Sequence, residues 1–227
     1  MNDFYSRPRH ELDRPYDHVF VSIDPNGGGE SRWAVVSAVY ARGEMIIVGL
    51  EAIRTHKPSD YESVLLDHLH RLRATKWLTR CVFVLMPEAN LGFEAHHIER
   101  VVNQTEMKKF SMCMRDDEQP GLRTTHAVKE AMHVKFNQAL EEDAISVSTT
   151  VVSAGGDAEK LLKDLRDELT TYCCVVDNGT SVFSQSKKTF TGKIGGFQDD
   201  LAICAQLNLL WHSSFFTDQK YATYRST

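Results

Sequence analysis

The first part of the chain alternates between short apolar runs and polar turns. Three runs have the length and β-branched content of strands: H-V-F-V-S-I-D at 18–24, W-A-V-V-S-A-V-Y at 33–40 and M-I-I-V-G-L-E-A-I at 45–53. Turns that contain glycine separate them, which is typical of strands joined as hairpins. The pattern predicts an antiparallel meander whose first strand ends at Asp24.

The next segments change from helical to extended periodicity. The residues S-D-Y-E at 59–62 form a capping-box pattern, and the apolar residues that follow keep helical spacing. The run C-V-F-V-L-M-P-E at 81–88 is apolar on both faces, as in a central strand that is covered on each side. Because Pro87 lacks an N–H donor, we expect strand pairing to stop at Glu88.

Helices and strands continue to alternate through the rest of the chain. An Asn-Gly pair at 178–179 predicts a hairpin, and a last helix at about 198–212 is apolar nearly all round and should be buried. The other predicted elements are helices at about 91–104, from Thr124–Thr125 onward and at 157–169, and strands near 109–114, 145–148 and 172–176. This succession predicts one α/β domain with a sheet flanked by helices.

Length and composition set the domain organisation and exclude several classes of protein. The 227 residues, 42% hydrophobic and 25% charged, suit one domain at 18–214 with a flexible N-terminal arm at 1–17 and a C-terminal tail at 215–227. No apolar run is long enough to span a membrane, and the first residues lack a secretory pattern, so we expect an intracellular protein. The five cysteines lack C-x-x-C spacing, which argues against disulfides and zinc.

Four acidic residues stand where the predicted elements would bring them together. Asp24 ends the first strand, Glu88 ends the central strand, and Asp199 and Asp200 open the last helix. If the two strands are neighbours, their carboxyl ends lie about 5 Å apart. Carboxylates that converge repel one another, and a hard divalent cation, Mg²⁺ or Mn²⁺, would relieve that repulsion. Two such ions about 3.5–4 Å apart would suit phosphodiester hydrolysis.

Each acidic residue also has a simpler interpretation. Asp199 and Asp200 could serve only to start a helix, and Asp24 could start an Asx-type turn. Since the net charge is −5, contact with DNA requires a local cationic patch. Candidates for that patch are Lys187, Lys188 and Lys193, which could equally belong to a solvated loop, and backbone amides of 27–29, which could equally form a turn.

Three motifs resemble those of the C-terminal nuclease domain of the viral DNA-packaging terminase large subunit. They are S-I-D-P-N-G-G-G at 22–29, L-M-P-E-A-N at 85–90 and T-G-K-I-G-G-F-Q-D-D-L-A-I-C at 191–204. A further segment, G-L-R-T-T-H-A-V-K at 121–129, resembles the herpesvirus-type proteins and favours that branch. The resemblance implies an RNase H-like fold, with a mixed central sheet flanked by helices.

The resemblance also implies an activity, an endonuclease that cuts concatemeric viral double-stranded DNA during genome packaging by two-metal-ion hydrolysis. Asp24 would bridge both ions, Glu88 would hold one, and Asp199, Asp200 or both would hold the other. The implied partners are double-stranded DNA, the terminase ATPase domain, other terminase subunits and the capsid portal, with no membrane. The implied location is the host nucleus for a herpesvirus-type protein, and the host cytoplasm otherwise.

Two other functions remain open at this point. A Holliday-junction-type resolvase shares the order of the acids, and it should form dimers and prefer branched DNA. A non-catalytic docking module of the packaging machine would cut no DNA with any metal. No G-x-x-x-x-G-K-[S/T] motif occurs, so the chain has no P-loop for ATP and we assign it no motor function.

Overall fold

The structure is a computed structural model that describes residues 16–25, 31–55, 57–89, 94–103, 110–114, 120–153, 157–177, 187–193, 198–215 and 221–224. The strands in these ranges are β1 (His18–Asp24), β2 (Trp33–Ala41), β3 (Glu44–Ile53), β4 (Val82–Pro87), β5 (Phe110–Cys113), β6 (Ile145–Val152), β7 (Cys173–Asp177), β8 (Lys187–Thr191) and β9 (Tyr221–Tyr224). The helices are α1 (Pro58–Ala74), α2 (Glu94–Asn103), α3 (His126–Glu141), α4 (Ala158–Thr171) and α5 (Asp200–Phe215). Among these helices, none is long and apolar enough to cross a membrane.

Seven of the described strands form one mixed sheet in the order β6-β3-β2-β1-β4-β5-β9. The pairs β1–β2 and β2–β3 are antiparallel, which confirms the predicted meander. Strand β4 lies parallel to both β1 and β5, which confirms its predicted central position. The first and fourth strands are therefore neighbours, and their carboxyl ends meet at one edge of the sheet.

Helices cover both faces of this sheet. On one face, Val19, Val21 and Ile23 of β1 pack with α1 and α2 in a core that contains Leu69 and Ile98. The other face carries α3, α4 and α5 in two further apolar clusters. Successive residues of a strand point to opposite faces, so Phe20, Ser22 and Asp24 share the face that packs against α5. This alternation places the last residue of β1 beneath α5.

Three details differ from the expectations drawn from the sequence. The capping box predicted at 59–62 is wrong: α1 begins at Pro58, where the fixed φ angle of proline suits a first helical position, and its N-cap Lys57 makes no side-chain cap. The hairpin predicted around 178–179 has a later second strand, because Asp177 of β7 pairs with Lys187 of β8. In the predicted tail, β9 adds an antiparallel edge strand to β5.

Polar contacts fix α5 on the sheet. The Ser22 hydroxyl donates to the carbonyl oxygens of Cys204 (2.7 Å) and Val36 (3.0 Å). The Asn208 side-chain amide donates to the carbonyl oxygens of Phe20 (2.9 Å) and Val36 (3.1 Å). Because both groups are completely buried, breaking these bonds would leave unsatisfied polar atoms in the core. The position of α5 along β1 is therefore tightly specified.

Candidate metal centre

Asp24 and Glu88 lie side by side at the ends of β1 and β4. Ile23 pairs with Pro87 in parallel register, and the Glu88 amide donates to the Ile23 carbonyl oxygen at 2.8 Å. Asp24 and Glu88 each stand one residue beyond that pair, so their backbones are about 4.8 Å apart and their side chains leave the same face. The strand register thus makes Asp24 and Glu88 neighbours, as the sequence analysis supposed.

Glu88 is more tightly held than the sequence suggested. It does not end all pairing, because it forms a further bridge with Leu122, and the Ala89 amide donates to the Leu122 carbonyl oxygen at 2.7 Å. The Thr124 hydroxyl donates to Glu88 Oε1. Glu88 is 7% exposed, so this carboxylate is buried and receives a hydrogen bond from a buried hydroxyl.

A stripe of residues on α5 runs along β1 toward Asp24. Cys204 and Asn208 of this stripe contact Ser22 and Phe20, respectively. One step of two residues along a strand covers about 6.6 Å, and one step of four residues along a helix covers about 6 Å. Two residues after Ser22, the strand reaches Asp24. Four residues before Cys204, the helix reaches Asp200, and both steps cover about the same distance in the same direction. Asp24 and Asp200 therefore stand opposite each other where the sheet meets the start of α5.

Asp199 points toward the segment that follows β8. Its Oδ2 accepts hydrogen bonds from the Gly192 amide at 3.0 Å and the Thr191 hydroxyl at 3.2 Å. A Cβ on Gly192 would lie 3.0 Å from the Asp199 Cβ, so glycine permits this close approach. The second oxygen, Oδ1, is buried without a hydrogen-bond donor among the described residues, and the ammonium of Lys193 lies 3.6 Å away.

The first turn of α5 is capped by a residue from another helix. Glu168 of α4 accepts the amides of Leu201 (2.8 Å) and Ala202 (3.0 Å) through Oε2. Its Oε1 receives the Arg32 guanidinium, and the Arg32 amide donates to Asp200 Oδ2 at 2.9 Å. In the described residues the side chains of the acidic pair at 199–200 accept no such helix amides. The interpretation that this pair only caps the helix is therefore not supported.

Burial and mutual repulsion disfavour negative charge at this end of the sheet. Burial raises the pKa of Asp200, and the charge of Asp199 adds to that effect, while Arg32 and Lys193 oppose it. Burial likewise raises the pKa of Glu168 to about 7, against the opposing influence of Arg32 and the two helix amides. Among the described residues, two cations, Arg32 and Lys193, thus lie beside four buried carboxylates, those of Glu88, Glu168, Asp199 and Asp200.

Two buried groups beside the acids, the Cys204 thiol and the Tyr172 hydroxyl, have raised pKa values. Burial raises the pKa of the Cys204 thiol, and the charges of Asp24, Glu88 and Asp200 raise it further. Burial also raises the pKa of the Tyr172 hydroxyl, with additional contributions from Asp199 and Glu88. The charge of Glu88 thus raises the pKa of both groups. Asp24 and Asp200 add to this effect at Cys204, and Asp199 adds to it at Tyr172.

The predicted lysines do not share one position. Lys193 is 47% exposed, donates to Ser31 Oγ at 2.6 Å and lies beside Asp199, at the rim of the carboxylate group. Lys187 and Lys188 are at the opposite end of β8, so their backbones stand about 10–13 Å along the strand from Thr191. The candidate phosphate-binding amides of 27–29 lie outside the described residues.

The chemistry of the residues fits a hard divalent cation. The donors are carboxylate oxygens, which select Mg²⁺ or Mn²⁺, and the buried Asp199 Oδ1 lacks a hydrogen-bond donor among the described residues. Within the same residues, no three His, Cys, Asp or Glu side chains are grouped closely enough to hold one ion as they stand. Occupation of the site would therefore require some of the other acidic side chains to rotate toward Glu88, whose carboxylate accepts a hydrogen bond from the Thr124 hydroxyl.

The sequence did not single out several residues that support the acids. Thr124 belongs to the segment at 121–129 that resembles herpesvirus-type proteins, but no hydrogen bond to Glu88 was predicted for it. Glu168 and Arg32 carried no signal, because the contact between Glu168 and the start of α5 joins residues 33 positions apart. Such contacts depend on tertiary packing rather than on local pattern.

No protein-family model matches the chain, and no curated protein matches its sequence. Solved structures do match. The human cytomegalovirus terminase nuclease domain is 15% identical, with a TM-score of 0.65 over 91% of this chain and 88% of that one. A manganese-soaked form of that domain gives a TM-score of 0.66 at 15% identity, over 91% of this chain and 87% of that one.

Two phage proteins have the same fold. The large terminase nuclease from thermophilic phage G20c is 14% identical, with a TM-score of 0.54 over 87% of this chain and 83% of that one. The large terminase of another thermophilic bacteriophage is 12% identical, with a TM-score of 0.53 over 92% of this chain and 42% of that one. The chain thus spans less than half of this second phage protein. The RNase H-like fold of terminase nuclease domains, predicted from the motifs, is confirmed.

Proposed function

We propose that this chain is a metal-dependent endonuclease that cuts concatemeric viral double-stranded DNA during genome packaging. The observation that carries the proposal is the register of β1 and β4, which sets Asp24 beside Glu88 beneath the start of α5. The fold shared with terminase nuclease domains supports the same activity. The manganese-soaked cytomegalovirus domain supports the use of a divalent cation.

In this proposal Asp24, Glu88, Asp199 and Asp200 supply the oxygen ligands for two Mg²⁺ or Mn²⁺ ions. Asp24 has the central position, with Glu88 on the neighbouring strand and Asp200 opposite on α5. When bound, the ions would activate a water molecule and stabilise the leaving oxygen of the phosphodiester. No nucleophile from the protein is required.

The remaining residues of the site orient these ligands and attract the substrate. Glu168 and Arg32 hold the first turn of α5, so Asp199 and Asp200 enter the site from a fixed helix end. Lys193 at the rim offsets the repulsion between the carboxylates and DNA phosphates, and we propose that Lys187 and Lys188 extend that contact along β8. Cation binding and substrate attraction would then depend on different residues.

The proposed partners follow from the matched proteins. The second phage terminase is more than twice as long as the matched region, so we infer that an ATPase domain works beside this nuclease, either on the same chain or on another. We further propose association with other terminase subunits and the capsid portal. For a herpesvirus-type protein this assembly would work in the host nucleus, and otherwise in the host cytoplasm.

A plasmid cleavage assay tests the activity. Wild-type protein with Mn²⁺ or Mg²⁺ should convert supercoiled plasmid to nicked and linear forms, and EDTA should stop the reaction. Asp24→Asn should reduce cutting by more than about 100-fold while leaving the far-UV circular dichroism spectrum unchanged. Asp17→Asn is the matched control, because Asp17 is exposed just before the other end of β1 and should have no effect.

The same assay separates the proposal from its alternatives. A strong preference for four-way junctions over linear DNA would favour a resolvase. Absence of cutting by wild-type protein with either metal would favour a docking module. Full activity of Asp24→Asn would refute the metal site, and a comparison of Asp199→Asn with Asp200→Asn would show which of these two carboxylates the reaction requires.

A further inference from the structure

A short segment, residues 120–124 (P-G-L-R-T), lies against the end of β4. The Leu122 amide donates to the Pro87 carbonyl oxygen at 2.8 Å, and Leu122 forms the bridge with Glu88. Leu122 and Thr124 are buried, whereas Arg123 between them is exposed, as expected for extended backbone. The segment therefore continues the sheet beyond β4 and turns Thr124 toward the site.

Gly121 allows the segment to approach β4 so closely. Its φ angle is +88°, which L side chains rarely adopt. A Cβ at this position would lie 2.7 Å from the Ala95 Cβ and 2.8 Å from both the Ala89 Cβ and the Pro87 carbonyl oxygen. Because these neighbours are backbone or Cβ atoms, they cannot move aside by rotating a side chain. The close approach of this segment to β4, which brings Thr124 to Glu88, thus depends on glycine at position 121.

The Thr124 hydroxyl donates to Glu88 Oε1, and both side chains are only 7% exposed. A buried carboxylate that accepts a hydrogen bond is restricted in its rotation, because another rotamer would leave a polar atom unsatisfied. We propose that Thr124 is a positioning residue that orients the Glu88 carboxylate toward a divalent cation. This inference rests on the proposed metal site and assigns Thr124 a role in cation affinity.

A role in packing alone makes a different prediction. If Thr124 only filled space, valine would serve as well, because the two side chains have nearly the same shape. If the hydroxyl positions Glu88, serine should retain the function and valine should lose it. Loss of such an outer partner of a metal ligand typically weakens metal affinity by 10–100-fold.

The test measures Mn²⁺ affinity by isothermal titration calorimetry, without DNA. Thr124→Val should raise the Kd for Mn²⁺ by about 10-fold, and Thr124→Ser should remain within about 3-fold of wild type. Thr189→Val is the matched control, because it makes the same exchange at an exposed position of β8 and should not change the Kd. If Thr124→Val does not fold, Thr124→Ala, which also lacks the hydroxyl, replaces it.

A double-mutant cycle shows whether Thr124 acts through Glu88. In a Glu88→Gln background, the change at Thr124 should add less than about 2-fold to the Kd, since the carboxylate to be positioned is gone. Equal Mn²⁺ affinity of wild type and Thr124→Val would overturn the inference, as would an undiminished effect in the Glu88→Gln background. Absence of Mn²⁺ binding by wild type would instead refute the proposed function.

Discussion

Replacement of Glu168 tests whether α5 is held at its first turn by a residue of another helix. Glu168→Ala removes the acceptor of the Leu201 and Ala202 amides and one carboxylate partner of the Arg32 guanidinium. Asp164 remains within 2.7 Å of that guanidinium, so Arg32 keeps part of its pairing. The substitution thus removes the cap completely and the ion pair in part.

The expected cost follows from these two losses. Removal of a helix cap costs about 1 kcal/mol of the free energy of unfolding, with a range of roughly 0.5–2. Loss of one partner from a buried ion pair costs about 3–5 kcal/mol, and the remaining Asp164 places this case at or below the lower end. We therefore expect Glu168→Ala to lower the free energy of unfolding by about 3–4 kcal/mol. Glu168→Gln, which keeps an oxygen acceptor, should cost about half as much.

Urea unfolding at pH 8, followed by far-UV circular dichroism, measures these costs. Burial raises the pKa of Glu168 to about 7. Because pH 8 lies above that value, the Glu168 carboxyl is mostly ionised in this measurement. Glu159→Ala is the control: Glu159 is exposed in the first turn of the same helix and should contribute about 0.5 kcal/mol. Hydrogen exchange at the Leu201 and Ala202 amides should accelerate in Glu168→Ala.

A cost below about 1 kcal/mol for Glu168→Ala, together with unchanged protection of the two amides, would refute this reasoning. The start of α5 would then be held by other contacts, such as those of Ser22 and Asn208.

Two further predictions concern backbone strain and pH. Gly121→Ala should lower the free energy of unfolding in urea by about 3 kcal/mol, and Gly43→Ala by about 1 kcal/mol. Both glycines have positive φ, but a Cβ at Gly43 meets no atom within 4 Å. Equal costs would contradict the close approach of Gly121 to Pro87, Ala89 and Ala95. Burial, aided by the charges of Lys135 and His18, lowers the pKa of His212 from 6.5 to about 4. As the pH falls, this histidine therefore takes up a proton in the unfolded chain before it does so in the folded protein. The free energy of unfolding should therefore decrease as the pH drops from 6.5 to 4. The loss should be about 2 kcal/mol after allowance for partial solvent screening, and His212→Phe should remove that part of the pH dependence of urea unfolding; parallel curves for the two proteins would contradict it.

The strands could be predicted because their apolar pattern is local. β1 has the predicted bounds, His18–Asp24, and β4 fills the predicted central position. A strand that is buried on both faces has a continuous apolar sequence, and such a strand must lie inside the sheet with helices on each side. The proximity of Asp24 and Glu88 depended in addition on β1 and β4 being neighbours, which the sequence left as a condition and the structure shows.

Features that depend on distant residues could not be predicted. The Asn-Gly pair at 178–179 is a strong local turn signal, yet β7 pairs with β8, whose first residue lies ten positions after the end of β7. The cap on α5 comes from Glu168 and the donor to Glu88 comes from Thr124, 36 residues away. In each case the contact joins residues ten or more positions apart, so no local pattern in the sequence indicates it.

The cap supplied by Glu168 changes what the acidic pair at the start of α5 can do. An aspartate that accepts helix amides is held by those bonds, and a cation would have to compete with them. With the first-turn amides of Leu201 and Ala202 satisfied by Glu168, Asp200 has its Oδ2 on the Arg32 amide, and Asp199 keeps a buried oxygen without a donor among the described residues. In the proposed metal site, holding the helix and binding the ion would thus depend on different residues. For this reason Glu168→Ala should loosen the first turn of α5 while all four proposed ligands remain. Asp24→Asn should remove one proposed ligand and leave α5 intact.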